Sequence, residues 1–202
     1  ENGKMIFNSL VIHISKGYSP DLSATNLSPS SEGVSLAKGG LFLLVLILLA
    51  FSYQPAAAQE TTTLILVRHA EKADDGTDDP PLNETGKERA TALANHLKET
   101  DITAIYSTNY KRTIQTVRQI ADAHGLEIKL YNPSEASALN QILDQEAGGT
   151  VLISGHSNTT PKLVNKLIGE EKYEQFKDSD YNNLFIVMAD EVGKGTVVKL
   201  TF

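Results

Sequence analysis

Two arginines and two histidines stand where apolar runs stop. Leu64-Ile65-Leu66-Val67 gives way to Arg68-His69-Ala70-Glu71, and Thr150-Val151-Leu152-Ile153-Ser154 gives way to Gly155-His156-Ser157. A shorter run, Thr103-Ala104-Ile105-Tyr106, ends at Ser107 and is followed by Arg112. Imidazole is nucleophilic near neutral pH, and guanidinium offers paired donors with a permanent charge. Each residue alone is ordinary: a lone histidine at a strand end is usually a satisfied surface group, and a lone arginine usually belongs to an ion pair. Function in open α/β sheets gathers at the carboxyl ends of buried strands. If the three strands lie side by side, all four side chains meet on one rim.

The elements that must position them follow from periodicity. Residues 62–67 read as a buried strand and 71–82 as a turn-rich loop with almost nothing apolar. Thr85 with Glu88 three residues later has the spacing of a capping box, and Ala90, Leu93, Ala94 and Leu97 continue at helical spacing, predicting a helix over about 86–98. A strand over 103–106 precedes a helix over 109–124, with Ile114, Val117, Ile120 and Ala121 as its inner stripe and Gly125 as its stop. Ser107 and Thr108 are candidates to cap that helix. There follow a short strand over 126–130, a helix over 135–147, the strand over 150–154 and a helix from 159 or 160 to 168. Pro161 suits the first turn of the last helix. After a polar stretch over 169–180, strands over 183–189 and 196–202 form an antiparallel edge hairpin. Alternating strands and helices predict an α/β fold, a three-layer α/β/α sandwich with a mostly parallel central sheet.

Composition narrows the chemistry. The chain has 202 residues, 41% of them hydrophobic and 21% charged, enough for one domain with a sizeable core. With no cysteine there is no disulfide scaffold, thiolate nucleophile or Cys-ligated zinc. A formal charge of -7 argues against a nucleic-acid partner, while leaving room for a local cationic pocket.

Residues 1–37 carry no persuasive periodicity and read as a disordered or spurious extension. In the segment 38–58, Lys38 precedes an unbroken apolar run from Leu41 to Phe51, and Gln54-Pro55-Ala56-Ala57-Ala58 follows. That is the layout of a signal peptide cleaved near Ala58, and the run is shorter than the roughly 18 apolar residues of a spanning helix. The expectation is export to a periplasmic or extracellular location, with the membrane involved only through this segment, as an anchor if it is not cleaved.

Taken in order, four segments resemble the motifs of the histidine phosphatase superfamily, the phosphoglycerate-mutase-like fold. Leu66-Val67-Arg68-His69-Ala70-Glu71 is similar to its Arg-His-Gly signature, and Pro81-Leu82-Asn83-Glu84-Thr85-Gly86-Lys87-Glu88-Arg89-Ala90 to its Leu-(Ser/Thr)-x-x-Gly-x-x-Gln-Ala segment. Ser107 through Thr116 resembles its Ser-x-x-x-x-Arg-x-x-x-Thr helix start, and Gly155-His156-Ser157 its second histidine. The resemblance covers residues 62–202. It implies a phosphomonoester hydrolase whose nucleophile is His69, passing through a phosphohistidine. Arg68 and Arg112 would bind the phosphoryl oxygens, and His156 would also bind them and stabilise the transition state. Such a mechanism takes a small phosphorylated substrate and needs no metal or other cofactor; a protein partner is not implied.

Two departures matter. Ala70 stands at the usual glycine, which suits the compact phosphatases of the superfamily. The acid that protonates the leaving oxygen is also hard to place: Glu135 is the nearest counterpart of the family glutamate, and Asp75 and Glu71 are other carboxylates near the rim. Protein phosphohistidine phosphatases of the same family manage without such an acid, so that activity is an alternative, as is a domain that binds a phosphorylated ligand without turning it over. A metal site built from His69, Glu71 and His156 is disfavoured because two fixed cations repel a divalent ion. Gly155-His156-Ser157-Asn158-Thr159 lacks the last glycine of a nucleophile elbow, which disfavours a serine esterase. Arg89 and Arg118 read as surface charges, and His96 and His124 as solvated helix positions.

Overall fold

The computed structural model describes residues 60–202. The N-terminal extension and the signal or anchor segment over 38–58 lie outside the described residues. Six strands, β1 (Thr62–Arg68), β2 (Ala104–Ser107), β3 (Ile128–Leu130), β4 (Thr150–Gly155), β5 (Asn183–Ala189) and β6 (Thr196–Thr201), form one sheet in the order β3-β2-β4-β1-β5-β6. Among them β5 alone runs against the rest, and β6 returns along it as the expected edge hairpin. The fold is a three-layer α/β/α sandwich with a mostly parallel sheet.

Alternation along the strands builds two cores, because successive side chains point to opposite faces. Leu64 and Leu66 of β1 join Val151 and Ile153 of β4 on one face, covered by helix α3 (Ala138–Gln145) and helix α4 (Thr159–Ile168). Ile65 and Val67 join Ile105 and Leu152 on the other, covered by α1 (Glu84–Leu97) and α2 (Lys111–His124). β1 lies near the middle, paired with β4 from Thr63 to Arg68 and with β5 from Thr62 to Val67. Its near-continuous apolar sequence is what a strand buried on both faces requires.

The start of α1 differs from the capping box expected of Thr85 and Glu88. Asn83 is the cap, its side-chain oxygen accepting from the Gly86 N–H at 2.8 Å, so Thr85 falls inside the first turn. Gly86 is needed at that turn for space: a Cβ there would sit 2.1 Å from the Glu71 carbonyl oxygen. The helix thereby packs directly on the backbone that leaves β1. Neither Ser107 nor Thr108 caps α2, whose N-cap is Tyr110; the first helical N–H, that of Lys111, is instead taken by Asp79 at 2.9 Å. The far end of α2 closes on Gly125 at φ +65°, as expected.

Candidate active site

Side-by-side pairing of β2, β4 and β1 brings the ends of the three apolar runs together at the carboxyl ends of the strands. Arg68 is the last residue of β1, paired with Gly155, and the His69 N–H donates to the Gly155 carbonyl at 2.9 Å. Arg112 comes from the first turn of α2, directly after β2. All four expected side chains, Arg68, His69, Arg112 and His156, line one cavity of about 850 Å³ with Thr108, Tyr110 and Tyr181. Glu135 does not share it: it is exposed, accepts from the Asn132 side chain at 3.3 Å and lines a neighbouring cavity of about 510 Å³. Tyr131 and Asn132 stand in the wall between the two.

His69 is only 5% exposed. Its Nδ1 lies 2.7 Å from the Ala70 carbonyl, which can only accept, so Nδ1 carries the proton. Burial, opposed by that hydrogen bond and reinforced by the charges of His156, Arg112 and Arg68, holds the imidazole down at about 3. The ring is therefore neutral at ordinary pH, with its lone pair on Nε2. Ala70 is wholly buried with Leu82 and Ala90, and its N–H donates to Thr116 of α2 at 2.9 Å, so the backbone carrying the histidine is pinned from a second element.

His156 sits across from it, ring centroids 5.4 Å apart. Burial first, then Arg112 and Arg68, lower its imidazole to about 4. Its Nε2 is 2.9 Å from Thr108 Oγ1, which in turn donates to Thr113 Oγ1 at 3.0 Å. The Thr113 hydroxyl spends its proton on the carbonyls of Thr108 and Tyr110, at 2.8 and 2.9 Å. Counting one proton per hydroxyl, the chain has a single consistent polarity: His156 Nε2–H donates to Thr108, and Nδ1 is the ring position left to take a proton.

The guanidinium groups are held differently. Arg68 Nη1 donates to the carbonyls of Lys177, Asp178 and Asp180 at 2.8, 3.3 and 3.0 Å, and the Tyr181 ring packs 4.0 Å from its central carbon. Arg112 stacks on Tyr110 at 4.4 Å, with Asp79 3.5 Å from its Nη1. Arg68 Nε and both Nε and Nη1 of Arg112 are buried with no hydrogen-bond partner in the protein. Buried, permanently charged donors without acceptors are costly unless an anion meets them, so the cavity has the donor set an oxyanion requires.

Several of these residues escape a sequence reading. Asp178 falls in the polar stretch after α4 and Tyr181 directly follows it, where no periodicity marks them. Asp79 sits in the acidic loop, and only its distance from Arg112 in space distinguishes it from Asp74, Asp75 and Asp78. Arg89 departs from the surface charge expected of it: it makes a two-pronged pair with Glu71, hydrogen bonds of 2.7, 2.9 and 3.0 Å, both side chains largely covered. Burial alone would raise the Glu71 carboxyl, but Arg89 outweighs it and holds the group below the usual carboxylate range. Among the described residues no group of three or more histidines, cysteines or carboxylates is arranged to hold a metal.

Comparison with known proteins agrees with this geometry. The family model described as histidine phosphatase superfamily (branch 1) matches residues 64–132. Phosphoserine phosphatase 1 of Hydrogenobacter thermophilus is 44% identical over 71 residues, which are 32% of this chain; the match spans about a third (34%) of that relative's length. Among solved structures, the protein histidine phosphatase SixA complexed with tungstate superimposes with a TM-score of 0.58 at 21% identity, over 69% of this chain and 96% of that one. A phosphoserine phosphatase mutant from Entamoeba histolytica, in complex with phosphoserine, gives 0.54 at 16% identity, over 68% and 95%. These structural likenesses are likenesses of fold.

Proposed function

We propose that the chain is a histidine phosphatase, in keeping with the family model that matches residues 64–132, and that it hydrolyses phosphomonoesters through a phosphohistidine on His69, without a metal. The observation that carries this reading is the pairing of a neutral, oriented imidazole with two guanidinium groups that keep buried donors, Arg68 Nε and Arg112 Nε and Nη1, without a hydrogen-bond acceptor among the described residues. A phosphoryl group between them satisfies those donors and presents phosphorus to His69 Nε2. As the bond to the leaving oxygen lengthens, charge on the three equatorial oxygens is met by Arg68, Arg112 and His156. The negative charge of the bound group favours protonation of His156 at Nδ1, turning it into a further donor. Water then attacks the phosphohistidine and releases phosphate. Charge neutralisation by the two arginines replaces what a divalent ion supplies elsewhere.

The named relative in Hydrogenobacter thermophilus supports a phosphate ester of a small polar alcohol as substrate. A protein phosphohistidine is the second reading, favoured by the placement of Glu135 outside the histidine cavity, since a nitrogen leaving group needs less protonation. Export of the enzyme, supported by the basic residue and apolar run before Ala58, is part of the proposal.

Release of phosphate from p-nitrophenyl phosphate in the presence of EDTA, by wild type and His69→Ala, tests the central claim. Turnover that survives the chelator and is lost in the variant is expected. Turnover retained without His69 would sink the mechanism; vanadate binding without turnover of any ester would leave the phosphohistidine reading or a binding domain.

A further inference from the structure

Cleaving an alkyl phosphate needs a proton on the departing oxygen, because an alkoxide is a poor leaving group. Glu135 opens on the neighbouring cavity, Glu71 is engaged by Arg89, Asp75 by the Thr77 hydroxyl and N–H, and Asp79 by the start of α2. Among the residues lining the histidine cavity, Asp178 is the one carboxylic acid. Its side chain makes no hydrogen bond or ion pair with another described residue, so the carboxyl is unengaged among the described residues. Its backbone, in contrast, is fixed. The carbonyls of Lys177, Asp178 and Asp180 all receive Arg68 Nη1, and Tyr181 closes over the same guanidinium. The segment is thus clamped to the cation expected to grip the substrate.

We propose that Asp178 is the catalytic acid and base of this enzyme, serving the leaving oxygen from the strap over residues 177–181. The inference rests on the phosphomonoesterase reading. In the first step the His69 Nε2 lone pair forms a bond to phosphorus while the bond from phosphorus to the ester oxygen breaks. The bonding pair stays on that oxygen, which takes the proton of the Asp178 carboxyl and leaves as the alcohol. In the second step the Asp178 carboxylate accepts a proton from water as the water oxygen attacks phosphorus. The nitrogen–phosphorus bond breaks, its pair returns to His69, and phosphate departs with Asp178 protonated again. The charged or titratable groups sharing the cavity with this carboxyl are Arg68, Lys72, Arg112, the two histidines and the tyrosines 110, 131 and 181. Burial keeps His69 unprotonated down to about 3, so a neutral nucleophile persists in acidic solution.

The test is a leaving-group series on the full chain: p-nitrophenyl phosphate, phenyl phosphate and glycerol 2-phosphate, with wild type, Asp178→Asn and Asp178→Ser. Vanadate affinity and thermal melting serve as controls for binding and folding. Read as the rate of the first step in single turnovers, which leaves out the water step common to the whole series, a catalytic acid predicts a loss of about 100-fold or more on glycerol 2-phosphate and of no more than about threefold on p-nitrophenyl phosphate, whose leaving group needs no proton. Asp178→Glu should regain part of the alkyl-ester rate. Equal losses across the series, or none, would overturn the assignment. A wild type that hydrolyses none of the three esters would instead overturn the phosphomonoesterase reading on which it stands.

Discussion

The Asp79 carboxylate reaches both the backbone N–H of Lys111, at 2.9 Å, and the guanidinium of Arg112, at 3.5 Å. One side chain of the acidic loop thus starts the helix and partners the cation that helix presents. Asp79→Ala should lower stability by about 1 kcal/mol through the lost cap. Asp79→Asn keeps an acceptor for the N–H while removing the charge. It should melt within about 0.5 kcal/mol of wild type and bind vanadate a few-fold more tightly, since Arg112 then shares its charge with the oxyanion alone. Isothermal titration and melting of the two variants separate the effects; weaker vanadate binding in the asparagine variant would contradict this account.

Arg68 has a structural task and, in the proposed reaction, a chemical one, and lysine cannot fill both. Arg68→Lys has one nitrogen, which cannot replace Nη1 at the carbonyls of 177, 178 and 180 and also meet a phosphoryl group with paired donors. A loss of about 100-fold or more in kcat/KM is expected together with about 2 kcal/mol of stability. Proteolysis within residues 175–182 should also become faster, which limited digestion followed by mass spectrometry would show.

Thr108 fixes which nitrogen of His156 carries the proton. Thr108→Val removes that acceptor while nearly preserving shape, leaving Nε2–H unpaired and the ring free to rotate. The expected loss is about tenfold in kcat, the rate equivalent of one neutral hydrogen bond, and Thr108→Ser should restore most of it. Equal activity in the valine variant would show that the hydroxyl chain is incidental.

Acid should destabilise the fold before most carboxylates titrate. The folded-state values of His69 and His156 lie below the ordinary 6.5, at about 3 and about 4. Between those values and 6.5 the unfolded chain binds protons that the folded chain does not, so this part of the stability is complete above about pH 6.5 and declines as pH falls toward 3. The slope from the buried His69 approaches about 1.4 kcal/mol per pH unit, with a smaller share from half-buried His156. Denaturant melts of wild type and His69→Asn at a series of pH values should show a shallower acid decline in the variant. Oxyanion binding near pH 7 should take up protons, seen as buffer-dependent heats in calorimetry.

What the sequence discloses here is what local pattern controls. Apolar runs ending in Arg68-His69 and Gly155-His156 announce both strands and the rim, because a doubly buried strand must be apolar until it stops. The helices are legible from their buried stripes, but their starts are not. Asn83 rather than Thr85 caps α1, and Asp79, 32 positions upstream in the chain, supplies the acceptor for α2. A cap made across such a separation leaves no spacing to read. Tyr181 and Asp178 belong to the same class: a coil segment acquires its place from three carbonyls meeting one guanidinium, which no periodicity encodes. Arg89 looks like a surface charge for that reason too, and Glu71 like a free carboxylate near the rim.

The position of His69 has a consequence for how activity fails. Its amide hydrogen bonds to Gly155 at the end of the ladder joining β1 and β4, two strands buried in the middle of the sheet. Such amides exchange with solvent only through the largest openings a domain undergoes. The proposed nucleophile is therefore seated in the slowest-opening part of the molecule, while the strap over 177–181 is held to the site through Arg68. On warming, turnover of esters that need the strap should fade first, whereas occupancy of His69 by an oxyanion should persist until the sheet itself comes apart.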